Sequence, residues 1–297
     1  MPADDEGRVV RFTAQNGMTL AARVFGVHHP DRIPILCLPG LSRNSKDFIG
    51  LGSFFSKSSQ PARQVVALDY RGRGRSDSDP DWTRYSPLIE ARDVLAAAEA
   101  LGLHKAAIVG TSRGGIIAMI LGALRPGIMA GIVLNDIGPV IEGTGLARIK
   151  AYLSGASAPK NLDEAVQRLQ RALGAQFSSL EEADWQAMAD AIYVESENGL
   201  RLDFDPGLIK SVNAIDLESA IPTLWPQFES LRGHPVLSIR GENSDILSEA
   251  TVKAMMQRHP NLETVTVAGQ GHAPLLRDSS TLNRISAFAL RCDAVRN

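Results

Sequence analysis

Residues Ala106–Pro126 read AAIVGTSRGGIIAMILGALRP, and the reading of this stretch decides the fold. A short apolar run, Ala106–Val109, is followed at once by Gly110-Thr111-Ser112-Arg113-Gly114. A second apolar run from Ile116 to Leu124 then ends at Arg125-Pro126. The pattern predicts a strand, a sharp turn and a helix, with G-x-S-x-G on the turn and proline stopping the helix. A serine on so tight a turn is forced toward a strained backbone, and the chain on either side passes close to it. Only hydrogen side chains fit two positions before and two after, so Gly110 and Gly114 form the elbow. The serine hydroxyl is thereby held clear of the sheet, over a helix N-terminus that favours negative charge. With 26 glycines in the chain, the bare five-residue pattern would say little; between strand and helix it says much.

Upstream of the elbow the chain alternates in the α/β manner. Arg8–Gln15 and Met18–Phe25, split by Asn16-Gly17, predict a hairpin. Ile33–Leu38 and Arg63–Tyr70 read as buried strands. The first ends in Pro39-Gly40, the second in the turn Arg71-Gly72-Arg73-Gly74-Arg75-Ser76-Asp77, read as a tight structural loop. Pro87–Leu101 repeats apolar residues at helical spacing, with Leu88, Ala91, Val94, Leu95 and Ala98 on one face. Downstream, Ala130–Leu134 is a strand leading into Asn135-Asp136. From Gly138 to Leu231 no strand is expected. Asn161 caps one helix, Ser179 with Glu182 forms a capping box, and Asp205-Pro206 opens another helix. Strands then resume at Val236–Ile239 and Leu262–Val267, with helices at Ser248–His259 and Thr281–Cys292. The expected organisation is a core of residues 1–137 and 232–297 with a helical cap inserted at 138–231.

Composition narrows the function class. The chain has 297 residues and a formal charge of −2, which argues against nucleic acid or an anionic membrane as partner. No apolar stretch reaches transmembrane length, and Met1-Pro2-Ala3-Asp4-Asp5-Glu6 is too acidic to begin a signal peptide. A cytoplasmic protein with a small-molecule substrate is expected, with homo-oligomerisation left open. The two cysteines, Cys37 and Cys292, read as buried free thiols, and the scattered histidines give no metal-ligand spacing. No metal and no cofactor is expected.

A serine hydroxyl is a poor nucleophile at neutral pH and needs an adjacent base. Of the six histidines, His272 alone lies on a loop just beyond a strand, with glycine before it and proline two residues after. His28, His29, His104, His234 and His259 sit on polar loops or at the ends of elements.

Leu38-Pro39-Gly40, the Asp69-x-Arg71-Gly72-x-Gly74-x-Ser76 turn, Gly110-Thr111-Ser112-Arg113-Gly114-Gly115 and Gly271-His272-Ala273-Pro274 together carry a resemblance. Over nearly its whole length the chain resembles the cap-bearing α/β-hydrolases. Esterases, C–C bond hydrolases and (acetamidomethylene)succinate hydrolase are among them. The resemblance implies a mostly parallel eight-stranded sheet flanked by helices, with a helical cap, and the order nucleophile, acid, histidine. It implies Ser112 as nucleophile and His272 as base. The acid is implied at Asp245, on the loop after the strand Val236–Ile239 where the family usually keeps it. Asp136 is the alternative, because (acetamidomethylene)succinate hydrolase resembles this chain around Asp136-Ile137-Gly138-Pro139 and places its acid there. Glu242 is a third candidate. The backbone N–H groups of Leu41 and Arg113 are the expected oxyanion-hole donors.

The function expected is cleavage of a small carboxylic ester through an acyl-enzyme. Amide or C–C bond hydrolysis, a cofactor-free haloperoxidase and a non-catalytic ligand-sensing module are the alternatives. Ser112 in place of aspartate argues against a haloalkane dehalogenase, and the charges Arg148, Lys150, Lys160, Glu164 and Arg171 in the cap argue against a membrane lipase.

Overall fold

The structure, a computed structural model, describes residues 6–58, 62–155, 158–216 and 219–294. The acidic run Met1–Asp5 lies outside them. The strands in chain order are β1 (Arg8–Thr13), β2 (Thr19–Phe25), β3 (Ile35–Leu38), β4 (Val65–Asp69), β5 (Ala106–Thr111), β6 (Met129–Asn135), β7 (Tyr193–Ser196), β8 (Gly199–Leu202), β9 (Val236–Gly241) and β10 (Leu262–Val267). Eight of them form one sheet in the order β1-β2-β4-β3-β5-β6-β9-β10. The β1–β2 and β2–β4 pairs are antiparallel and every other pair in this sheet is parallel.

Helices α1 (Ile49–Ser53), α2 (Pro87–Ala100) and α3 (Arg113–Leu124) fall between the early strands, and α9 (Glu249–Arg258) and α10 (Ser279–Ala294) among the last. Sheet residues point alternately to two cores, as the period of a strand requires. Leu36, Leu38 and Ile108 face a cluster shared with Ala91 and Val94 of α2, Ile117 and Leu121 of α3 and Met255 of α9. Ile35, Cys37 and Val109 face the opposite cluster, with Leu51 of α1 and Phe288 of α10. The central strands are therefore buried on both faces, and each fully buried Leu or Ile contributes about 1.5–3 kcal/mol relative to exposure. Asn16-Gly17 turns the β1–β2 hairpin, as expected, and Ser86 caps α2 with Pro87 at its first turn. No helix of the described residues is long and apolar enough to cross a membrane.

Between β6 and β9 lie α4 (Gly143–Gly155), α5 (Leu162–Leu173), α6 (Glu182–Ile192), α7 (Gly207–Asn213) and α8 (Trp225–Glu229). Three expectations for this segment need correction. It is not wholly helical, because β7 and β8 pair as an antiparallel hairpin. The capping box that starts α6 is formed by Glu181 and Asp184, since Ser179 is tied instead through its N–H to the Gly269 carbonyl, 3.2 Å away. The end of the segment packs with the sheet rather than with the other inserted helices: Phe228 of α8 and Leu231 are fully buried in the same cluster as α3. The Asn161 cap is as expected, accepting from the Glu164 N–H at 2.9 Å. A cluster of Leu169, Phe177, Trp185, Met188 and Ile192 gives α5 and α6 a core of their own.

Candidate active site

The elbow forms because nothing larger than glycine fits around it. A Cβ on Gly114 would stand 2.0 Å from the Leu38 carbonyl oxygen, and one on Gly110 would stand 2.6 Å from the Gly114 backbone. Helix α3 can thus pass directly over the ends of β3 and β5. Ser112 joins strand to helix at φ 51, ψ −112, a left-handed conformation that costs a non-glycine residue about 1–3 kcal/mol. Its N–H donates to the Asn135 carbonyl at 2.9 Å, and its own carbonyl accepts from Gly115 and Ile116, so the surroundings hold the turn in place.

His272 Nε2 lies 2.8 Å from Ser112 Oγ. The loop that carries the imidazole is tied down by Asn135, whose Nδ2 donates to the Pro274 carbonyl at 2.9 Å and to Thr111 Oγ1 at 3.1 Å. The inserted segment supports it from above: Gln176 packs on Gly271, where a Cβ would come within 2.7 Å of the Gln176 Cβ. The other histidines lie elsewhere. His259, for instance, is buried with Nε2 3.0 Å from the Leu231 carbonyl.

The carboxylate on the imidazole is Asp136, and the expectation of Asp245 is corrected. Asp136 Oδ2 lies 2.8 Å from His272 Nδ1. The same oxygen accepts from Ser244 Oγ at 2.6 Å, and Oδ1 accepts from the Gly241 N–H at 2.8 Å. Asp136 is fully buried, with φ 55 turning it back over the sheet edge directly after β6; aspartate tolerates that region better than most residues. Asp245 is instead gripped by Arg148 of α4, whose Nε and Nη2 donate to its two oxygens at 2.6 and 2.9 Å. Burial disfavours the Asp245 charge, but the Arg148 guanidinium outweighs it and holds the carboxyl below its ordinary range. Glu242 Oε2 accepts from the Gly269 N–H at 2.8 Å and serves the loop.

Gly40 stands against the serine, with 4.0 Å between a Cβ built on it and the Ser112 Cβ, and Leu41 shares the cavity wall with Ser112. Arg113 opens α3, so its N–H has no carbonyl four residues back inside the helix. A cavity of about 190 Å³ lies over these groups. The core supplies Leu41, Phe48 and Leu276 to it, and the inserted segment supplies Leu153, Phe177 and Met188. Neither cysteine competes as a nucleophile: burial pushes the Cys37 thiol well up and the Cys292 thiol up to about 12.

Such an arrangement can transfer a proton from the serine through the imidazole while a buried carboxylate holds the ring and offsets its charge. Ser244 and the Gly241 N–H were not legible beforehand as partners of the acid, because the sequence signal on that loop is the neighbouring Asp245. Arg71 is buried between Asp79 and Asp93 at 2.5 and 2.7 Å, so the arginine-rich turn is an internal brace.

Comparison with known proteins shows the family to which this fold belongs. The α/beta hydrolase fold family model matches residues 33–278. A 3-hydroxybutyrate-oligomer hydrolase of Cupriavidus necator is 31% identical over 260 residues, covering 84% of this chain and 85% of that protein. A 2-(acetamidomethylene)succinate hydrolase of Mesorhizobium japonicum is 27% identical over 212 residues, covering 70% of this chain and 71% of its own length. The crystal structure of an alpha/beta hydrolase from Novosphingobium aromaticivorans superposes with a TM-score of 0.86 at 33% identity, over 96% of this chain and 99% of that one.

Proposed function

The chain belongs to the α/β-hydrolase fold family, and from that premise we propose that it is a serine hydrolase of small carboxylic esters, acting through an acyl-enzyme. The observation that carries the proposal is the continuous chain Asp136–His272–Ser112, with both links at 2.8 Å. His272 Nε2 takes the Ser112 proton as Oγ attacks the ester carbonyl carbon. The oxygen that becomes negative is received by the N–H groups of Leu41 and Arg113. Collapse of the tetrahedral intermediate expels the alcohol, which takes the proton from His272, and leaves the acyl group on Ser112. Water then enters, gives a proton to His272 and attacks the acyl carbon; the bond to Ser112 Oγ breaks, the serine takes that proton back from His272, and the acid is released. Asp136 fixes the ring with Nδ1–H toward itself and stabilises the imidazolium.

The segment between β6 and β9 acts as the cap. Its Leu153, Phe177 and Met188 supply apolar wall, which suits a short acyl chain and sheds water from the acyl-enzyme. Short 3-hydroxyacyl esters are the substrates to try first, by analogy with the Cupriavidus relative. The test is a panel of p-nitrophenyl esters and 3-hydroxybutyrate esters, run beside simple amides and vinylogous diketones. Ester turnover abolished in Ser112→Ala, together with loss of fluorophosphonate labelling, is the expected result. Labelling that persists in Ser112→Ala, or turnover confined to the diketones, overturns the reading.

A further inference from the structure

Behind the site a buried arginine, Arg73, and a half-buried one, Arg113, meet one carboxylate. Glu90, on α2, is fully buried. Its Oε2 accepts from Arg113 Nε at 2.6 Å, and its Oε1 forms an ion pair with Arg73 Nη1 at 2.8 Å. Each arginine leads to a different half of the site. Arg113 directly follows Ser112, and its Nη2 also donates to the Tyr85 carbonyl at 2.8 Å. Arg73 Nε donates to the Leu41 carbonyl at 3.0 Å, and Nη1 donates to the Arg71 carbonyl at 2.6 Å. Leu41 and Arg113 lie on separate loops, after β3 and after β5. The pair of arginines and the carboxylate between them link those loops beneath the floor of the site.

We propose that Glu90 is a positioning residue that sets the separation of the two oxyanion donors, gripping Leu41 through Arg73 and the start of α3 through Arg113. This rests on the reading of Leu41 and Arg113 as those donors. The charge matters as well as the shape. Without an anion between them, two guanidinium groups would face each other inside the protein, where like charges repel most strongly. Burial works against the Glu90 charge, yet the Arg113 and Arg73 guanidiniums outweigh it and hold the carboxyl below its ordinary range. Relaxation of such a cluster moves the arginines apart and carries the Leu41 and Arg113 backbones with them. Donors that must meet an oxygen at about 2.7–3.1 Å lose function on small displacements.

The same helix supplies a control. Asp93, three residues on, pairs with Arg71 at 2.7 Å and is just as much a buried ion pair, but Arg71 donates to neither Leu41 nor the start of α3. Arg71 meets the cluster only through its carbonyl, which accepts from Arg73 Nη1, so loss of Asp93 weakens the fold and reaches the donors far less than loss of Glu90.

The experiment compares wild type, Glu90→Gln and Asp93→Asn in the full chain, with kcat and KM on p-nitrophenyl butyrate, inhibition by phenylboronic acid, and melting temperature. Phenylboronic acid adds the serine oxygen to form a tetrahedral anion, so its affinity reads the oxyanion donors. Glu90→Gln should lower kcat and boronate affinity together by about 30-fold, within the range for a displaced donor, with KM within about threefold. Asp93→Asn should lower the melting temperature while kcat and boronate affinity stay within about threefold of wild type. The proposal is overturned if Glu90→Gln keeps both within threefold, or if Asp93→Asn moves both as far as Glu90→Gln does. Should Glu90→Gln not fold, Arg113→Gln, which cuts one arm only, decides: about a tenfold loss of boronate affinity supports the proposal and an unchanged affinity overturns it. A wild type that binds the boronate no better than butyrate would instead overturn the reading of the donors themselves.

Discussion

Asp136 and Asp245 leave the same edge of the sheet from neighbouring strands, β6 and β9, yet have opposite surroundings. Asp136 is fully buried among neutral donors, a backbone N–H and a hydroxyl, with the imidazole as its third partner. The Asp245 side chain is 25% exposed and is neutralised by a bidentate arginine. A carboxylate whose charge is already met by a guanidinium has little left to offer an imidazolium. One that is held only by dipoles keeps its whole charge for the ring. Position after a strand makes an aspartate a candidate for the acid. What the neighbouring loops bring to it decides the matter.

The largest effect that could break this contrast is on turnover. Asp136→Asn should lower kcat by about a thousandfold to ten-thousandfold with KM little changed, through the wrong tautomer and an unsupported imidazolium. Steady-state kinetics of both variants check it. A crippled Asp245→Asn beside a nearly normal Asp136→Asn would reverse the assignment.

Ser244 sharpens the same comparison one step out. Ser244→Ala removes a hydrogen bond to a buried charge, an interaction worth about 1.5–3 kcal/mol. A tenfold or greater fall in kcat with unchanged fluorophosphonate stoichiometry is expected. No change in kcat would mean that Gly241 alone suffices to hold the acid.

Arg148 and Asp245 strap α4 to the loop after β9, so Arg148→Gln should act on binding rather than on chemistry. A severalfold rise in KM with kcat within about threefold is expected, since Arg148 also lines the cavity. Equal losses in kcat and in kcat/KM would mean that the strap belongs to the reaction itself.

The smallest effect is in stability against pH. Asp245 is held below its ordinary range when folded, so its contribution is complete above about pH 4 and is lost as pH falls through the folded value. Urea titrations of wild type and Asp245→Asn should therefore differ at pH 6, begin to draw together near pH 4 and converge only below the folded value. A gap that widens in acid would have the sign wrong.

What the chain revealed in advance was what depends on neighbours in sequence. The elbow was legible because Gly110, Ser112 and Gly114 act within five residues, and His272 because its loop follows a strand. The sheet followed from apolar runs punctuated by glycine and proline. Which aspartate meets the imidazole was not legible, since that rests on Arg148 reaching Asp245 from 97 residues away and Ser244 reaching Asp136 from 108. The hairpin β7–β8 escaped because four-residue strands give too little alternation to stand out among helices. Phe228 and Leu231 read as part of the insertion because an apolar helical face does not say which layer it meets.

The backbone at Ser112 has a consequence for anyone selecting variants of this chain. Its φ of 51 is one that glycine adopts without penalty, so Ser112→Gly should be more stable than Ser112→Ala by about 1 kcal/mol. Thermal melts of the two variants would test this, and an alanine variant of equal or higher melting temperature would contradict it. A library screened for heat resistance alone would then enrich glycine at 112, and the best survivors by that measure would be inert.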